Sequence, residues 1–392
     1  MRTLLTVFGK EVLENLRDRR TLLSALLFGP LFGPLLFASL IGFMLSETVA
    51  ELDEKLELPI LGAERAPNLV AWLRAHQVEV RSAPGDLAGV KAAVKDGEHP
   101  VALVIPEGFG EAWMAGSPAR LSLVSDSSSS RVAKDVSRAR ALLEAYGEQT
   151  VLLRLQARGV DWTLVRPIAL ESLDVSTPAG RSVLVLGMMT YFVLFATLLG
   201  GMYLAIDTTA GERERGSLEP LLTLPAPRGS LIAGKILATC FYMTVSLGLT
   251  LLAFAVSLSF VPLEELGMVA NFGPAVALLA FAVLLPFVPL GAALMTVVAS
   301  FTRSYKEAQT WLSFVLLVPT LPIIVAAVFT LKPTLALMAV PSLSQHLLVT
   351  DLLKNEPLEP LWFATSAAST LLLGAVLGWV AARLYRREAI LG

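Results

Sequence analysis

The sequence predicts an α-helical membrane protein with six transmembrane helices and an extracytoplasmic α/β domain between helices 1 and 2. The chain of 392 residues is 55% hydrophobic and only 16% charged, whereas soluble domains carry about 25% charged residues. Six uncharged runs are long enough to cross a bilayer as helices, which takes roughly 20 apolar residues. Charge is concentrated between the first two runs, where residues 46–182 hold 34 of the 64 charged side chains.

Composition excludes several functions. The net charge of -2 lacks the basic excess of a nucleic-acid binder. A single cysteine, Cys240, permits neither an internal disulfide nor a cysteine cluster for zinc. The three histidines lie far apart in sequence and form no metal motif. We therefore expect no metal site and no nucleic-acid partner.

The six runs predict the transmembrane helices. Each is rich in Leu, Val, Ala and Phe. They are residues 21–46, 183–206, 236–263, 266–302, 308–331 and 360–382. The fourth exceeds one crossing, and Asn271, Gly273 and Pro274 indicate an outer loop before a span near 276–300. Six such runs in one chain argue against a soluble protein with buried helices.

Orientation follows from Lys and Arg, which concentrate in short cytoplasmic flanks. One side of the membrane receives 14 of them: Arg2, Lys10, Arg17, Arg19, Arg20, Arg213, Arg215, Arg228, Lys235, Arg303, Lys306, Arg383, Arg386 and Arg387. The opposite short loops carry only Lys332 and Lys354. This asymmetry predicts that the N- and C-termini are both cytoplasmic.

Residues 1–46 are predicted to form an interfacial helix and the first transmembrane helix. In residues 3–17, apolar side chains share one helical face, as in helices that lie in the membrane interface. These side chains are Leu5, Phe8, Val12 and Leu16. The run 21–46 is too long for a typical signal-peptide core and lacks a clear cleavage site, so we expect an uncleaved anchor.

Residues 47–182 are predicted to form the extracytoplasmic α/β domain. Three β-branched segments indicate strands: Val78–Arg81, Val101–Ile105 and Leu121–Val124. Helices are expected at 67–76, 86–96 and 107–115, followed by a long one at about 131–158. Strands alternating with helices are typical of βαβ units.

No catalytic group stands out in this domain. Ser127–Ser130 has no histidine near it in sequence, and loop serines are commonly solvated. Glu107 and Glu111 share a helical face, where a solvated surface is the simpler interpretation than an acid–base pair.

Residues 183–392 are predicted to hold transmembrane helices 2–6 with a cytoplasmic loop at 207–235. A further uncharged segment near 333–355 could form a seventh crossing. It contains polar residues and a proline, Pro341, Ser342, Ser344, Gln345 and His346. An odd number of spans would also place the basic C-terminal tail outside. We therefore expect an outer re-entrant or interfacial hairpin, lined by protein or water.

The loop at 207–235 carries the strongest motif. Gly211 to Pro225 reads G-E-R-E-R-G-S-L-E-P-L-L-T-L-P, and Gly234-Lys235 follows. The charged tetrad is too polar for lipid, and three leucines give a short helix one apolar edge. This pattern favours docking to a soluble partner over a merely solvated loop. The predicted docking residues are Glu212, Arg213, Glu214, Arg215, Gly216, Ser217, Leu218, Glu219, Leu221 and Leu222.

Residues Gly229–Lys235 match the spacing G-x-x-x-x-G-K of a nucleotide-binding loop. Such a loop needs Ser or Thr next and a buried strand before it. Here Ile236 follows, and a membrane span begins at once. We expect no nucleotide binding and no enzymatic activity of this chain.

Two glycine pairs at four-residue spacing indicate close helix packing. They are Gly29 with Gly33 in the first span, and Gly374 with Gly378 in the last. Contacts within one subunit and a dimer seam are both open interpretations.

No Asp, Glu, Lys or Arg lies in the middle of a predicted span. Ion-coupled carriers usually place such groups inside the membrane. Their absence favours an exporter driven by a separate ATPase. Hydroxyls could still coordinate a hard cation; the candidates are Thr190, Tyr191, Thr197, Thr244, Ser246 and Thr250.

The loop motif resembles the first cytoplasmic loop of ABC-2-type permeases. Two further segments are similar to the NatB-like subgroup of sodium-efflux permeases: Lys10-Glu11 with Leu16–Thr21, and Val104–Phe109. The likeness covers nearly the whole chain. It implies a permease whose coupling helix contacts a cytoplasmic ABC ATPase, which binds ATP and Mg. It also implies two permease copies with two ATPases.

The resemblance implies Na⁺ extrusion as the function. The alternatives are export of a lipid, peptide or drug-like amphiphile, and an ion-coupled carrier or channel that works without an ATPase. A third class is an anchored assembly or sensor protein whose outer domain does the work.

Overall fold

A computed structural model gives the architecture. It describes residues 2–18, 22–53, 55–83, 85–126, 130–164, 173, 177–223, 225–261, 263–266, 268–269, 271–329, 331 and 333–385. The chain divides into two compact units, one of Met1–Glu47 with Val175–Gly392 and one of Thr48–Asp174.

Two helices begin the chain. Helix α1 is Arg2–Arg17. A π-helical turn, Leu23–Phe28, leads into α2, Gly29–Asp53, which contains Pro34. The buried residues of α1 are Glu11 and Asn15, although the amphipathic pattern placed Glu11 away from the apolar face.

The second unit is an α/β sandwich around a four-stranded sheet. Its strands are β1 Leu56–Leu61, β2 Val78–Ser82, β3 Val101–Val104 and β4 Ser122–Ser125. Its helices are α3 Pro67–Ala75, α4 Leu87–Lys95, α5 Phe109–Met114 and α6 Ser130–Ala157. The sheet order is β2-β1-β3-β4; β1 pairs in parallel with β2 and β3, and β4 is antiparallel to β3.

The three predicted strands and four predicted helices of this unit are confirmed. The sequence pattern missed β1, whose Leu58 and Ile60 are almost fully buried in the core. Leu153, near the end of α6, is 61% exposed. The serines at 127–129 lie outside the described residues.

The remaining helices belong to the first unit. They are α7 Pro178–Leu186, α8 Met189–Ile206, α9 Glu212–Glu214, α10 Leu218–Thr223, α11 Arg228–Leu258, α12 Pro274–Leu284, α13 Phe287–Phe301, α14 Tyr305–Val315, α15 Thr320–Phe329, α16 Leu343–Leu353 and α17 Pro360–Leu384. Helix α8 packs against α11 and α13, α13 packs against α17, and α1 packs against α11.

Five helical segments of the described chain are long and apolar enough to cross a membrane. They are Ala25–Phe43, Met189–Glu214, Arg228–Leu258, Tyr305–Ala326 and Pro360–Leu384. Helices α12 and α13 make a sixth span if they are counted together, although they are bent by 43°. Pro286 is the N-cap of α13 at this break, and proline cannot donate a helical hydrogen bond. The prediction of a helical membrane protein is confirmed.

The segment near 333–355 contains a 3₁₀ turn, Leu337–Ala339, and then α16. At 11 residues, α16 is too short to cross a bilayer. Its side chains are largely buried, and Ser342 with Gln345 forms a capping box at its start. The Gln345 amide nitrogen donates to Thr370 of α17 at 2.9 Å, which ties this segment to the last helix.

Candidate functional site

The charged loop continues directly from the end of α8. A π-helical turn, Asp207–Gly211, joins α8 to the single turn of α9. Gly216 then adopts φ +65°, and α10 follows. Because L-residues rarely adopt this left-handed conformation, glycine suits the reversal between α9 and α10. Irregular turns of the π type are frequent at functional sites.

Glu212, the first charge of the tetrad, lies inside the protein rather than on the loop surface. Its carboxylate pairs with the ammonium of Lys235 in α11, and the lysine side chain is 1% exposed. The same ammonium donates to the carbonyl oxygen of Thr208 at 2.7 Å. A buried ammonium needs such partners, because desolvating an unpaired charge is very unfavourable.

The next two charges fasten the loop to the turn between α13 and α14. Arg213 donates from Nη1 to the carbonyl oxygen of Thr302 at 3.0 Å. The Glu214 carboxylate accepts from the backbone nitrogen of Tyr305 at 2.6 Å. Tyr305 is the first residue of α14, and a carboxylate is favourable beside the free N–H groups of a helix start.

Arg215, the fourth charge, closes the loop onto its own beginning. It donates from Nη1 to the Asp207 carboxylate at 2.7 Å. The Asp207 carboxylate raises the pKa of Arg215, so this cation remains charged. Arg215 is 55% exposed, and screening by water makes the pair worth little stability. Its main effect is to fix the path of the loop.

A second acidic side chain, Glu11 of α1, reaches the same buried region. Its side chain is 4% exposed, and Lys10 contacts it at 3.3 Å. Burial raises the pKa of Glu11, as does the nearby Glu212, whereas Lys235 and Lys10 act in the opposite direction. We name Glu11, Glu212, Lys235 and Lys10 the charge cluster. It joins α1, the loop and α11.

Close backbone packing brings α1 to this position. A Cβ atom at Gly234 would lie 2.8 Å from Cβ of Val7 and 2.9 Å from the carbonyl oxygen of Leu4. Only glycine admits α1 at this distance. About two helical turns further along α11, the Tyr242 hydroxyl donates to the carbonyl oxygen of Val12 at 3.1 Å. Gly234-Lys235 is therefore a docking point for α1 and the loop, and its lysine is engaged inside the protein.

The leucines of the loop do not form one free edge. Leu218 is 3% exposed and packs with Ile232, Ala381 and Tyr385. It anchors the loop to α11 and α17, which corrects its predicted place on a partner-facing edge. Leu221 is half-buried. The side chains of Glu219 and Leu222 lie outside the described residues.

The outward face of the loop consists of four other predicted residues. Glu214, Arg215, Gly216 and Ser217 are exposed. Glu212 and Leu218, by contrast, face the protein interior, because each has a partner there. The sequence motif thus divides into residues that hold the loop and residues that remain available at its surface.

The glycine pairs pack mainly within the subunit. A Cβ atom at Gly33 would meet the Phe192 ring at 3.5 Å. At Gly374 it would lie 3.0 Å from the backbone nitrogen of Leu290, in α13. Gly29 is buried, whereas a Cβ atom at Gly378 would meet nothing within 4 Å.

Sequence reasoning missed the charge cluster. Glu11 and Lys235 are far apart in the chain, and no local pattern connects them. One signal was present: Lys235 lies in the second turn of a long apolar helix, and such a lysine requires a partner. Within the described residues, no group of three His, Cys, Asp or Glu could hold a metal ion.

The long apolar helices are those of a multi-pass membrane protein. The sequence profile of the ABC-2 family transporter proteins matches residues 24–383, and the chain belongs to this family. It is therefore the membrane subunit, the permease, of an ABC transporter.

One relative gives a more specific likeness. The chain is 24% identical over 355 residues to the ABC transporter permease protein NatB of Bacillus subtilis (strain 168). The alignment covers 88% of this chain and 89% of the relative. No solved structure matches the chain.

Proposed function

We propose that this chain is the permease of an ATP-driven exporter, and that its charged loop receives the force from a separate cytoplasmic ATPase. The observation that carries the proposal is the set of loop contacts. Glu212 binds Lys235 of α11, and Arg213 and Glu214 bind the turn between α13 and α14. Displacement of the loop would therefore move several membrane helices at once.

The ATPase would contact the exposed part of the loop, Glu214–Ser217 with Leu221. ATP and Mg belong to that partner. The nucleotide-loop spacing at Gly229–Lys235 supports no binding here, because Lys235 is buried and already bonded. The loop thus acts as a mechanical connection, and hydrolysis takes place elsewhere.

The decisive experiment tests whether a substitution in the loop removes docking of the ATPase while the permease still folds. Leu221→Asp places a charge at a half-buried loop position. ATPase recovered with the purified permease should fall by about tenfold or more, which corresponds to roughly 1.4 kcal/mol of binding energy. Met114→Asp is the matched control, since Met114 is 84% exposed in the α/β unit. Full ATPase recovery with Leu221→Asp would refute the proposal.

The proposed topology has both termini in the cytoplasm of a bacterial inner membrane and the α/β unit outside. In a Cys240→Ser background, Glu98→Cys should react with an impermeant thiol reagent in intact spheroplasts. Ser217→Cys should react only after lysis. Both positions are exposed in the permease, and expression without the ATPase leaves the membrane as the difference in their accessibility. Labelling of Ser217→Cys in intact spheroplasts would show that the orientation is the opposite one.

We also propose that the transporter contains a second permease copy. The mass of the purified complex tests this.

The proposed cargo is Na⁺, on the resemblance to sodium-efflux permeases. Three candidate hydroxyls, Thr197, Thr244 and Thr250, donate to carbonyls of their own helices. They would have to be released to bind an ion. The test is ATP-dependent ²²Na⁺ movement in proteoliposomes that contain the permease and its ATPase. If Na⁺ flux does not exceed that of an ATPase-dead control and a lipid or amphiphile is exported instead, sodium is not the cargo.

A further inference from the structure

The last part of α6, in the α/β unit, is apolar and largely uncovered. Helix α6 has 28 residues and is therefore about 42 Å long, whereas the longest strand of the sheet, β1, has six residues and extends about 20 Å. Val151, Leu152 and Leu153 are 45%, 41% and 61% exposed. Consecutive residues of a helix point about 100° apart, so most of the circumference is open here. Contiguous exposed apolar surface commonly marks an interaction site.

Side-chain contacts on both sides fix this part of α6 in place. The indole nitrogen of Trp72, in α3, donates to the amide oxygen of Gln149 at 2.7 Å. Arg154 donates to the carbonyl oxygen of Trp113, in α5, at 2.8 Å, and its guanidinium lies 4.6 Å from the centre of the Trp113 ring. Val151 and Leu152 therefore stand on a held helix, and their surface is already formed before any partner binds.

Charges of opposite sign flank Val151 along one stripe of α6. Glu144 lies seven residues before it and Arg158 seven residues after it. Seven residues are nearly two full turns, so the three side chains share almost the same face of the helix. Glu144 and Arg158 are exposed, and neither forms an ion pair with another described residue. From its N-terminal end the stripe is thus acidic, apolar and basic.

This order of charges selects a second copy of the same helix as the partner. An antiparallel α6 would place Val151 against Val151 of the second copy and Glu144 beside Arg158 of the second copy. Two-fold symmetry then forms the same ion pair twice. A parallel α6 would instead place like charges side by side. Antiparallel helices also oppose their macrodipoles, which is favourable.

We propose that the α6 helices of two permease copies pack antiparallel through the stripe of Glu144, Val151 and Arg158. This inference rests on the proposed second permease copy. One pair of helices buries less surface than the roughly 1,200–2,000 Å² of a stable interface, so this contact alone would not hold two chains together. Between copies that the membrane helices already hold, the effective concentration is high and the contact forms.

Disulfide formation tests the contact in the full-length permease, in a Cys240→Ser background. Val151→Cys should give a covalent dimer when membranes are oxidised with copper phenanthroline, because the residue meets its own counterpart. Ser137→Cys is the matched control, since it is exposed on the same helix. Its two copies would lie about 42 Å apart along the paired helices, and it should remain monomeric in non-reducing electrophoresis.

A second pair of variants tests the direction of the helices. Glu144→Cys alone should not form a dimer, because its two copies would lie about 21 Å apart. Glu144→Cys expressed together with Arg158→Cys should form one. A dimer of Glu144→Cys alone would show parallel packing and overturn the proposal. So would cross-linking of Val151→Cys to a protein of another mass and not to its own copy.

Charge reversal tests the ion pairs. Within Val151→Cys, Glu144→Arg should slow dimer formation about tenfold, because it replaces two attractive contacts by two repulsive ones. Arg158→Glu should act in the same way, and the double reversal should restore the rate. Glu98→Arg changes the charge of an exposed residue elsewhere in the unit and should have no effect. A double reversal as slow as the single ones would show that these residues do not pair.

The mass of the purified complex separates this inference from the proposal on which it rests. If the complex holds two permeases and Val151→Cys still forms no dimer, the second copy stands and the α6 contact is wrong. If the complex holds one permease, both are wrong.

Discussion

Gly234→Ala tests the packing of α1 on α11 with the smallest possible change. The added Cβ would lie 2.8 Å from Cβ of Val7 and 2.9 Å from the carbonyl oxygen of Leu4. Carbon atoms pack at about 3.5–4.0 Å, so α1 must move away by about 1 Å. That movement stretches the 3.1 Å hydrogen bond between Tyr242 and Val12 beyond good geometry.

The magnitude combines two opposing effects. Overpacking of a close helix contact costs about 1–3 kcal/mol. Alanine in place of glycine within a helix contributes about 1 kcal/mol of stability. Gly248→Ala is the matched control in the same helix, because its Cβ would meet only Phe281, at an ordinary 3.8 Å. The free energies of unfolding of the two variants should therefore differ by about 1–3 kcal/mol.

Thermal unfolding in detergent can measure this difference. Cys240 is the single cysteine of the chain and is half-buried, so a thiol-reactive fluorophore reports its exposure. Gly248→Ala should unfold at or slightly above the wild-type temperature, and Gly234→Ala several degrees lower. Equal stability of the two variants would refute the close approach of α1 to α11.

Two further predictions concern other parts of the chain. Gly62 has φ +82°, and its Cβ would lie 2.6 Å from the carbonyl oxygen of Ile105; Gly62→Ala should therefore lower the unfolding temperature more than Gly97→Ala, which has φ +78° and open space. Asp351 is 6% exposed, and burial raises its pKa from 3.8 to about 6. The folded state thus favours the protonated carboxyl, and its stabilisation is lost as pH rises from about 4 through 6. Asp351→Asn should flatten the pH dependence of the unfolding temperature in this window, and an unchanged slope would contradict the assignment.

The helical part of the fold was predictable because membrane spans depend on local composition. Runs of apolar residues identified the spans, since a helix satisfies its own backbone groups in lipid. Strand β1 was missed because Pro59 argues against a central strand. The structure resolves this conflict: β1 pairs with β3 only through Ile60 and Leu61, beyond the proline.

The candidate site was predictable only in part. The loop motif indicated a polar, structured turn, and this much follows from charge and glycine spacing. Which charges face inward depends on α1 and α11, which meet the loop from distant points of the chain. Glu11 illustrates the difficulty: on a helical wheel it belongs to the polar face of α1, and it is buried because α1 packs against α11 at Gly234.

The junction of α1 with α11 also has a consequence for biosynthesis. The bond between Val12 and Tyr242 joins residues 230 positions apart. At about 5–20 residues per second, translation takes roughly ten to fifty seconds to cover that interval. Throughout this time α1 has been made, but the helix that receives it has not, so Glu11 remains hydrated and ionised at the membrane surface.

Insertion of α11 then provides the helix against which α1 packs. Lys235 enters with Glu212 already present, since only 23 residues separate them. Glu11 is the last member of the pair of carboxylates to be covered, and its burial at that moment raises its pKa. A defect in α11 would consequently leave the first helix of the chain exposed to membrane proteases, although that helix itself is intact.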